Sequence, residues 1–149
     1  LTGRLHSAAT AAALDEAVTG NARAISFEFE PIVRMTSTWI AGGTDTFESL
    51  LRGAEGGLYI PDFFHGSGMS TFTIAPARAY RIRGGKPAEP VLVSVISGNV
   101  MQTLHQIDGA TAETELCSLS TGGCGKMEQW PLRVAFGGPY LRVRGLKAQ

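Results

Sequence analysis

Glycine and proline breaks divide this chain of 149 residues into short runs. They fall at Gly42-Gly43, at Gly53, Gly56 and Gly57, at Gly84-Gly85-Lys86-Pro87, at Gly122-Gly123 and at Gly137-Gly138-Pro139. Glycine reaches backbone conformations that other residues avoid, and proline fixes φ and removes a donor, so such pairs mark turns. What lies between the breaks has room only for short strands and short helices.

The runs sort by their period. Residues 7–18 are rich in alanine, the strongest helix former, and Thr19-Gly20-Asn21 supplies a stop. Residues 24–30 alternate Ile25, Phe27 and Phe29 with Ser26, Glu28 and Glu30, which predicts a half-buried strand ended by Pro31. Residues 32–40 read as extended. A second helix is predicted behind Asp45 and Glu48 as a capping box, with Phe47, Leu50 and Leu51 as its apolar stripe. Residues 58–60 form a short apolar run stopped by Pro61-Asp62, and Gly66-Ser67-Gly68 marks a loop over 63–70. Strands are predicted at 70–74 and 77–83, with Phe72, Ile74, Tyr80 and Ile82 facing inward. The second of these forms a hairpin with 90–96. Ser97 caps a third helix to about Ile107, with Val100, Met101, Leu104 and Ile107 on one face. Residues 110–120 read as extended, and 132–136 and 140–143 as closing strands. The fold class is α+β: mainly antiparallel strands in a sheet curled towards a barrel, with two or three short helices, as one domain over residues 1–149.

Thirteen acidic residues balance thirteen basic ones. That argues against nucleic acid and against an anionic membrane surface, both of which attract excess positive charge. No run reaches the roughly 18 to 20 apolar residues that a membrane span needs, and the start carries no signal-peptide pattern. Cys117 and Cys124 are too far apart for a CxxC pair and too few for a disulfide framework, which points to a reducing, cytoplasmic setting. The chain begins with leucine, and we expect it to be part of a longer polypeptide.

Chemistry centres on Gly123-Cys124-Gly125-Lys126. A neighbouring cation favours the thiolate, the form that ligates metals and attacks electrophiles. The plain structural reading of Cys124 is a small buried hydrophobe in a glycine turn. One cysteine cannot build a metal site, so partners would come from outside these residues. The histidines are His6, His65 and His105, with no HExxH or HExxxH spacing. His65, before the glycine loop, is the best placed of the three, and a Cys124–His65 nucleophile pair stays open. The region 63–70 fits neither a GxSxG elbow nor a P-loop. Glu28 and Glu30, and Glu113 and Glu115, read as exposed strand acids rather than a glycosidase dyad.

Several segments, in order along nearly the whole chain, resemble the C-terminal part of the TldD/PmbA family, also called modulators of DNA gyrase. Thr19-Gly20-Asn21-Ala22-Arg23 is similar to its TGNxR segment, and Pro31-Ile32-Val33-Arg34-Met35-Thr36-Ser37-Thr38 to its PxxRMxNT segment. Gly57-Leu58-Tyr59, followed by Phe63, and Ala79-Tyr80-Arg81-Ile82 before Gly84-Gly85 resemble two further segments. Ser97-Gly98-Asn99 resembles a helix entry of the family, and Cys124-Gly125-Lys126 with Gln129 and Pro131 its CGKxGQxxP segment. The chain departs from the pattern at Ser37, at His65-Gly66-Ser67 and at Met127-Glu128.

The resemblance implies a zinc metallopeptidase of the TldD type acting in proteolysis and peptide maturation. In it an HExxxH helix, N-terminal to Leu1, supplies two histidines and a glutamate base, and Cys124 supplies the third zinc ligand. Gly123, Gly125, Lys126 and His65 are the expected substrate contacts. Expected partners are a peptide substrate and a paralogous subunit of the same family, with self-association of the isolated chain through an exposed apolar patch. The chain alone is expected to be inactive. The alternative is a non-catalytic paralogue that binds a peptide or a partner subunit. Direct action on DNA gyrase finds no support in the neutral charge.

Overall fold

A computed structural model describes residues 4–118 and 122–149. In chain order the elements are α1 (Ala8–Leu14), β1 (Ala22–Arg23), β2 (Ile32–Val33), β3 (Thr38–Trp39), α2 (Phe47–Arg52), β4 (Leu58–Gly68), β5 (Thr71–Arg83), β6 (Lys86–Pro90), β7 (Ile96–Asn99), α3 (Val100–His105), β8 (Ile107–Ser118), β9 (Cys124–Lys126), β10 (Gln129–Leu132), β11 (Ala135–Val143) and β12 (Lys147–Ala148). The α+β class and the short helices are as predicted. The sheets among the described residues are open, and none closes into a barrel. The chain forms two compact units: Leu1–Ile40 with Glu115–Gly138, and Ala41–Thr114 with Pro139–Gln149.

In the first unit, α1 is held by a capping box. Ser7 Oγ accepts from Thr10 N at 3.2 Å, and Thr10 Oγ1 accepts from Ser7 N at 2.9 Å. Such a cap stabilises a helix by about 1 kcal/mol. β1 and β2 pair antiparallel, Ala22 opposite Val33. Residues 24–30, predicted as a strand, instead make turns and bends between these two strands, and Phe27 is 98% exposed. Their alternation does not create a strand because a side chain takes the place of a neighbour. Gln129 Oε1 accepts from Ile25 N at 3.2 Å, and Gln129 Nε2 donates to Glu30 O at 2.8 Å. β3 runs parallel to β11, an exception to the antiparallel rule.

The second unit is built on the β4–β5 hairpin, antiparallel from Leu58–Arg81 to Gly68–Phe72. The predicted stop at Pro61 and the predicted loop over 63–70 are both absorbed into this hairpin. Pro61 falls in a stretch of shifted register between Tyr59 and Asp62, where a missing amide donor breaks no regular ladder. The two strands predicted at 70–74 and 77–83 are one. Ile82 faces inward and is buried, with Phe72, Ile74 and Tyr80 half-buried. The hairpin partner of β5 is β6, not residues 90–96, because the Gly84-Gly85 turn closes at once and pairs Arg83 with Lys86.

Both remaining helices begin later than predicted. α2 is capped by Thr46, since the Asp45 carboxylate is occupied by Ala110 N at 3.0 Å and Ser49 Oγ at 3.3 Å. Asn99, not Ser97, caps α3, accepting from Gln102 N at 3.0 Å. No residue of α3 is buried, so its predicted apolar stripe stays open, with Met101 54% exposed. Gly42 and Gly43, read as a break, are a close approach: a Cβ on Gly43 would lie 2.5 Å from Ala110 O. β8 covers most of the predicted run 110–120, whose last two residues lie outside the described residues. β11 passes straight through Gly137-Gly138-Pro139, joining what was predicted as separate strands.

Candidate functional site around Cys124

β9 and β10 form a two-stranded hairpin in the first unit, with Lys126 opposite Gln129 and Cys124 opposite Leu132. Met127 and Glu128 make its turn, and Met127 takes φ 54°. That left-handed conformation favours glycine or asparagine. Gly123 has φ 148°, and a Cβ there would stand 2.2 Å from Leu132 O. Only glycine lets the strand enter beside Leu132. A Cβ at Gly125 would lie 2.9 Å from Trp130 Cδ1, so the indole occupies the space over that residue. Thr121, the start of the predicted glycine turn, lies outside the described residues.

Cys124 is half-buried and free, and its Sγ makes only a 4.0 Å contact to Gly125 O. Its backbone is held firmly. Arg34 is 2% exposed and donates from Nη2 to Cys124 O at 2.7 Å. Arg34 is itself fixed through its backbone: Arg34 N donates to Asn21 O at 2.9 Å, and the buried Asn21 returns Nδ2 to Arg34 O at 3.1 Å. On either side, Lys126 Nζ donates to Val33 O at 2.9 Å and Arg23 Nη1 to Met35 O at 2.7 Å. Three successive carbonyls, from residues 33 to 35, therefore each accept from a side chain. Arg23 also reaches Arg133 O at 3.0 Å, and Gln129 binds residues 25 and 30. Directional bonds of this kind fix backbone positions in a way that apolar packing does not.

Of the residues singled out in the sequence, Cys124, Gly125 and Lys126 share β9, and Gly123 immediately precedes it. His65 lies exposed on β4 of the second unit, opposite Ala75. Sequence reasoning missed Arg34, Asn21, Arg23 and Gln129 as the residues that build the site. The one local hint is that Arg34 interrupts an otherwise apolar Ile32-Val33-Met35 run, which marks the residue but not its partner.

Among the described residues no group of three or more His, Cys, Asp or Glu side chains converges as a metal site. In the first unit, both ring nitrogens of His6 are engaged, Nε2 with Glu16 Oε2 at 2.7 Å and Nδ1 with Thr10 Oγ1 at 3.3 Å. The described residues carry two free cysteines, Cys117 and Cys124, where a catalytic zinc takes three protein ligands. Cys124 fits as one member of a ligand set, and the described residues do not complete that set.

The second unit carries a cavity of about 540 Å³, lined in part by Phe47, Leu50, Tyr59, Ile82 and Tyr140. Phe47 stacks edge-on against Tyr59 at 5.4 Å and lies 4.8 Å from Tyr140. Burial, reinforced by a hydrogen bond with Tyr140, pushes the Tyr59 phenol up to about 12.

The fold and this hairpin define an α+β domain with mostly antiparallel sheets and a cysteine-bearing hairpin strand. The chain belongs to the PmbA/TldA metallopeptidase C-terminal domain family, whose model matches residues 1–149. It is 46% identical to a metalloprotease of Synechocystis sp. over 145 residues, covering 97% of this chain and 31% of that relative. It is 32% identical to a zinc metalloprotease TldD homolog of Saccharolobus solfataricus over 136 residues, covering 90% of this chain and 30% of that relative. Its fold matches TldE from Thermococcus kodakarensis with a TM-score of 0.75 at 17% identity, covering 98% of this chain and 31% of that one. A Thermotoga maritima protein named in connection with the modulation of a DNA gyrase matches with a TM-score of 0.68 at 20% identity, over 100% of this chain and 31% of that one. The chain thus spans about a third of the length of the relatives it matches. No described helix is long and apolar enough to cross a membrane.

Proposed function

We propose that this chain is the C-terminal domain of a zinc-dependent metallopeptidase that cleaves peptides or unfolded segments, and that Cys124 is its zinc ligand. The observation that carries the reading is the treatment of Cys124. Its carbonyl is held by a buried arginine, and its strand is set beside β10 at a position only glycine can precede, while the thiol is left without a close partner. Two histidines and a glutamate base from an HExxxH helix in the remainder of a longer protein complete the site. Bound zinc supplies Lewis acidity and a water acidified towards neutral pH. This chain's part is to hold the thiolate and to offer peptide-binding surface. Among the described residues β9 has β10 as its one strand neighbour, and a peptide can add at the other edge through its backbone, a mode tolerant of sequence. Gly125 and Lys126 belong to β9 and Gly123 immediately precedes it, so all three are substrate contacts in this reading, and His65, exposed on β4, is the further contact it expects.

A paralogous subunit is the natural partner in this reading, consistent with the large apolar side chains left open, among them Phe64 at 76% and Met69 at 91% exposure on the β4–β5 hairpin. The same surface would let the isolated chain self-associate. Two free cysteines accord with a cytoplasmic setting.

Elemental analysis of the full-length protein beside its Cys124→Ser variant tests the assignment. About one zinc per chain, lost in the variant, is expected. No zinc in the parent would leave a non-catalytic, peptide- or partner-binding paralogue as the account. The isolated 149-residue chain is expected to lack peptidase activity and to bind zinc weakly, and tight stoichiometric zinc in it would contradict the shared ligand set.

A further inference from the structure

Arg34 is the largest fully buried side chain among the described residues. A guanidinium stays charged in proteins and carries five N–H donors. The contact made here is Nη2 to Cys124 O at 2.7 Å, while Nε and Nη1 are shielded and have no acceptor. A buried charge left without a counter-charge is strongly destabilising, far more so than a missing surface pair. Arg23 and Lys126 donate to the carbonyls flanking residue 34, sites about 7 Å apart along an extended segment. None of these three cations meets a carboxylate among the described residues. Arginines elsewhere do meet carboxylates: Arg4 meets Glu16 in the first unit, and in the second Arg78 meets Asp62, Arg83 meets Glu89, and Arg142 and Arg144 share Asp108. The three cations Arg23, Arg34 and Lys126, bonded to the carbonyls of Met35, Cys124 and Val33, are left without a carboxylate among the described residues.

We propose that Arg34 is the floor of a carboxylate-binding site, completed when a carboxylate from outside the described residues closes on its unpaired N–H groups. A planar guanidinium fits a carboxylate through two parallel bonds, and the flanking Arg23 and Lys126 favour the same sign. Since Nε and Nη1 are out of reach of water, binding requires the surrounding chain to give way. Arg34 also holds Cys124 O, so the bound carboxylate is linked mechanically to the position of the cysteine hairpin. The carboxylate has two possible sources, a bound peptide or an acidic side chain in the remainder of a longer protein. The inference stands on the charge balance and does not depend on zinc.

The test uses metal-free, full-length protein as wild type, Arg34→Met and Arg34→Lys. Calorimetry compares a short peptide bearing a free C-terminus and acidic side chains with the same peptide amidated at all of those groups. Thermal melts are run from pH 7 down to about pH 3, through the carboxylate range. A peptide source gives the wild type at least tenfold tighter binding of the acid form, abolished in Arg34→Met and reduced in Arg34→Lys. A source within the protein gives no peptide preference but a pH signature. A carboxylate held by Arg34 has a lowered folded-state pKa, so its stabilisation is present at neutral pH and lost as pH falls. The wild type would then lose more of its Tm on acidification than Arg34→Met. A structural role through the Cys124 carbonyl alone would shift Tm equally at every pH. The proposal is overturned if both peptides bind alike in wild type and the Tm difference between wild type and Arg34→Met does not change with pH, or favours the variant throughout. Should Arg34→Met fail to fold, the wild-type peptide comparison and the pH profile of Arg34→Lys separate the same outcomes.

Discussion

In the second unit the buried residues include Leu50, Leu51, Ala79, Ile82 and Ile96, with Thr111 as the polar member. In the first unit they include His6, Asn21, Arg34 and Gln129, with Ala11 and Leu132 as the apolar members. The apolar interior draws on surface removed from water, which is non-directional and tolerant of exchange. The polar interior draws on hydrogen bonds that name particular carbonyls, those of Glu30, Arg34 and Cys124, and bonds nearer the surface from Lys126 and Arg23 add Val33, Met35 and Arg133. Such bonds add little net stability each but fix the backbone to which they are made. Positional precision is therefore concentrated in one unit. The cysteine hairpin lies in the unit whose interior is directional, and the cavity lies in the unit whose interior is not.

The largest effect expected from disturbing this contrast is at Gly123. Replacing it by alanine sets a Cβ against Leu132 O and demands φ 148° of a residue that avoids it. A loss of about 4 kcal/mol is expected in urea denaturation of the full-length protein. A loss near zero would mean that the hairpin entry is free to move. Next comes a pair that sets the two interiors side by side. Leu50→Ala is expected to cost about 3 kcal/mol through the cavity it leaves. Gln129→Leu keeps volume and adds apolar surface, yet is expected to cost about 2 kcal/mol, because Ile25 N and Glu30 O lose their partner. If Gln129→Leu proves neutral, the first interior is no more directional than the second.

Much of the fold was legible because it follows local rules. The Phe47, Leu50 and Leu51 stripe and the Gly84-Gly85 turn appear where the residues place them. The alanine run starts its helix as expected but ends it at Leu14, where Asp15 takes φ 52°, short of the predicted stop at 19–21. Two of the failures share one cause, a distant residue taking over a local signal. The alternation of residues 24–30 is overridden by Gln129, and the capping role of Asp45 is overridden by Ala110. At the site, the cysteine was legible from its glycine setting, while its support was not. Arg34 is 90 residues away in sequence, and nothing in local periodicity signals that its guanidinium reaches the Cys124 carbonyl.

Smaller effects bear on the same contrast. Met127→Gly relieves a left-handed methionine at the hairpin turn and is expected to stabilise by about 0.5 kcal/mol, after the greater freedom of glycine in the unfolded chain is deducted. Destabilisation would mean that the Met127 side chain, 80% exposed here, is covered in the full-length protein. The smallest effect lies at alkaline pH. The phenol of Tyr59 is raised in the folded state, so its contribution is fully present below the ordinary tyrosine value near 10 and is lost as pH rises towards about 12. Tyr59→Phe should flatten that alkaline limb of the melting curve, and an unchanged limb would place the titration elsewhere.

Zinc K-edge X-ray absorption on the full-length protein and its Cys124→Ser variant reads the metal's own ligands, and so addresses the role of Cys124 without passing through activity. One sulfur scatterer at about 2.3 Å in the wild type, replaced by lighter atoms in the variant, is the predicted result. A shell of nitrogen and oxygen alone at about 2.0 to 2.1 Å in the wild type would show that Cys124 does not hold the metal.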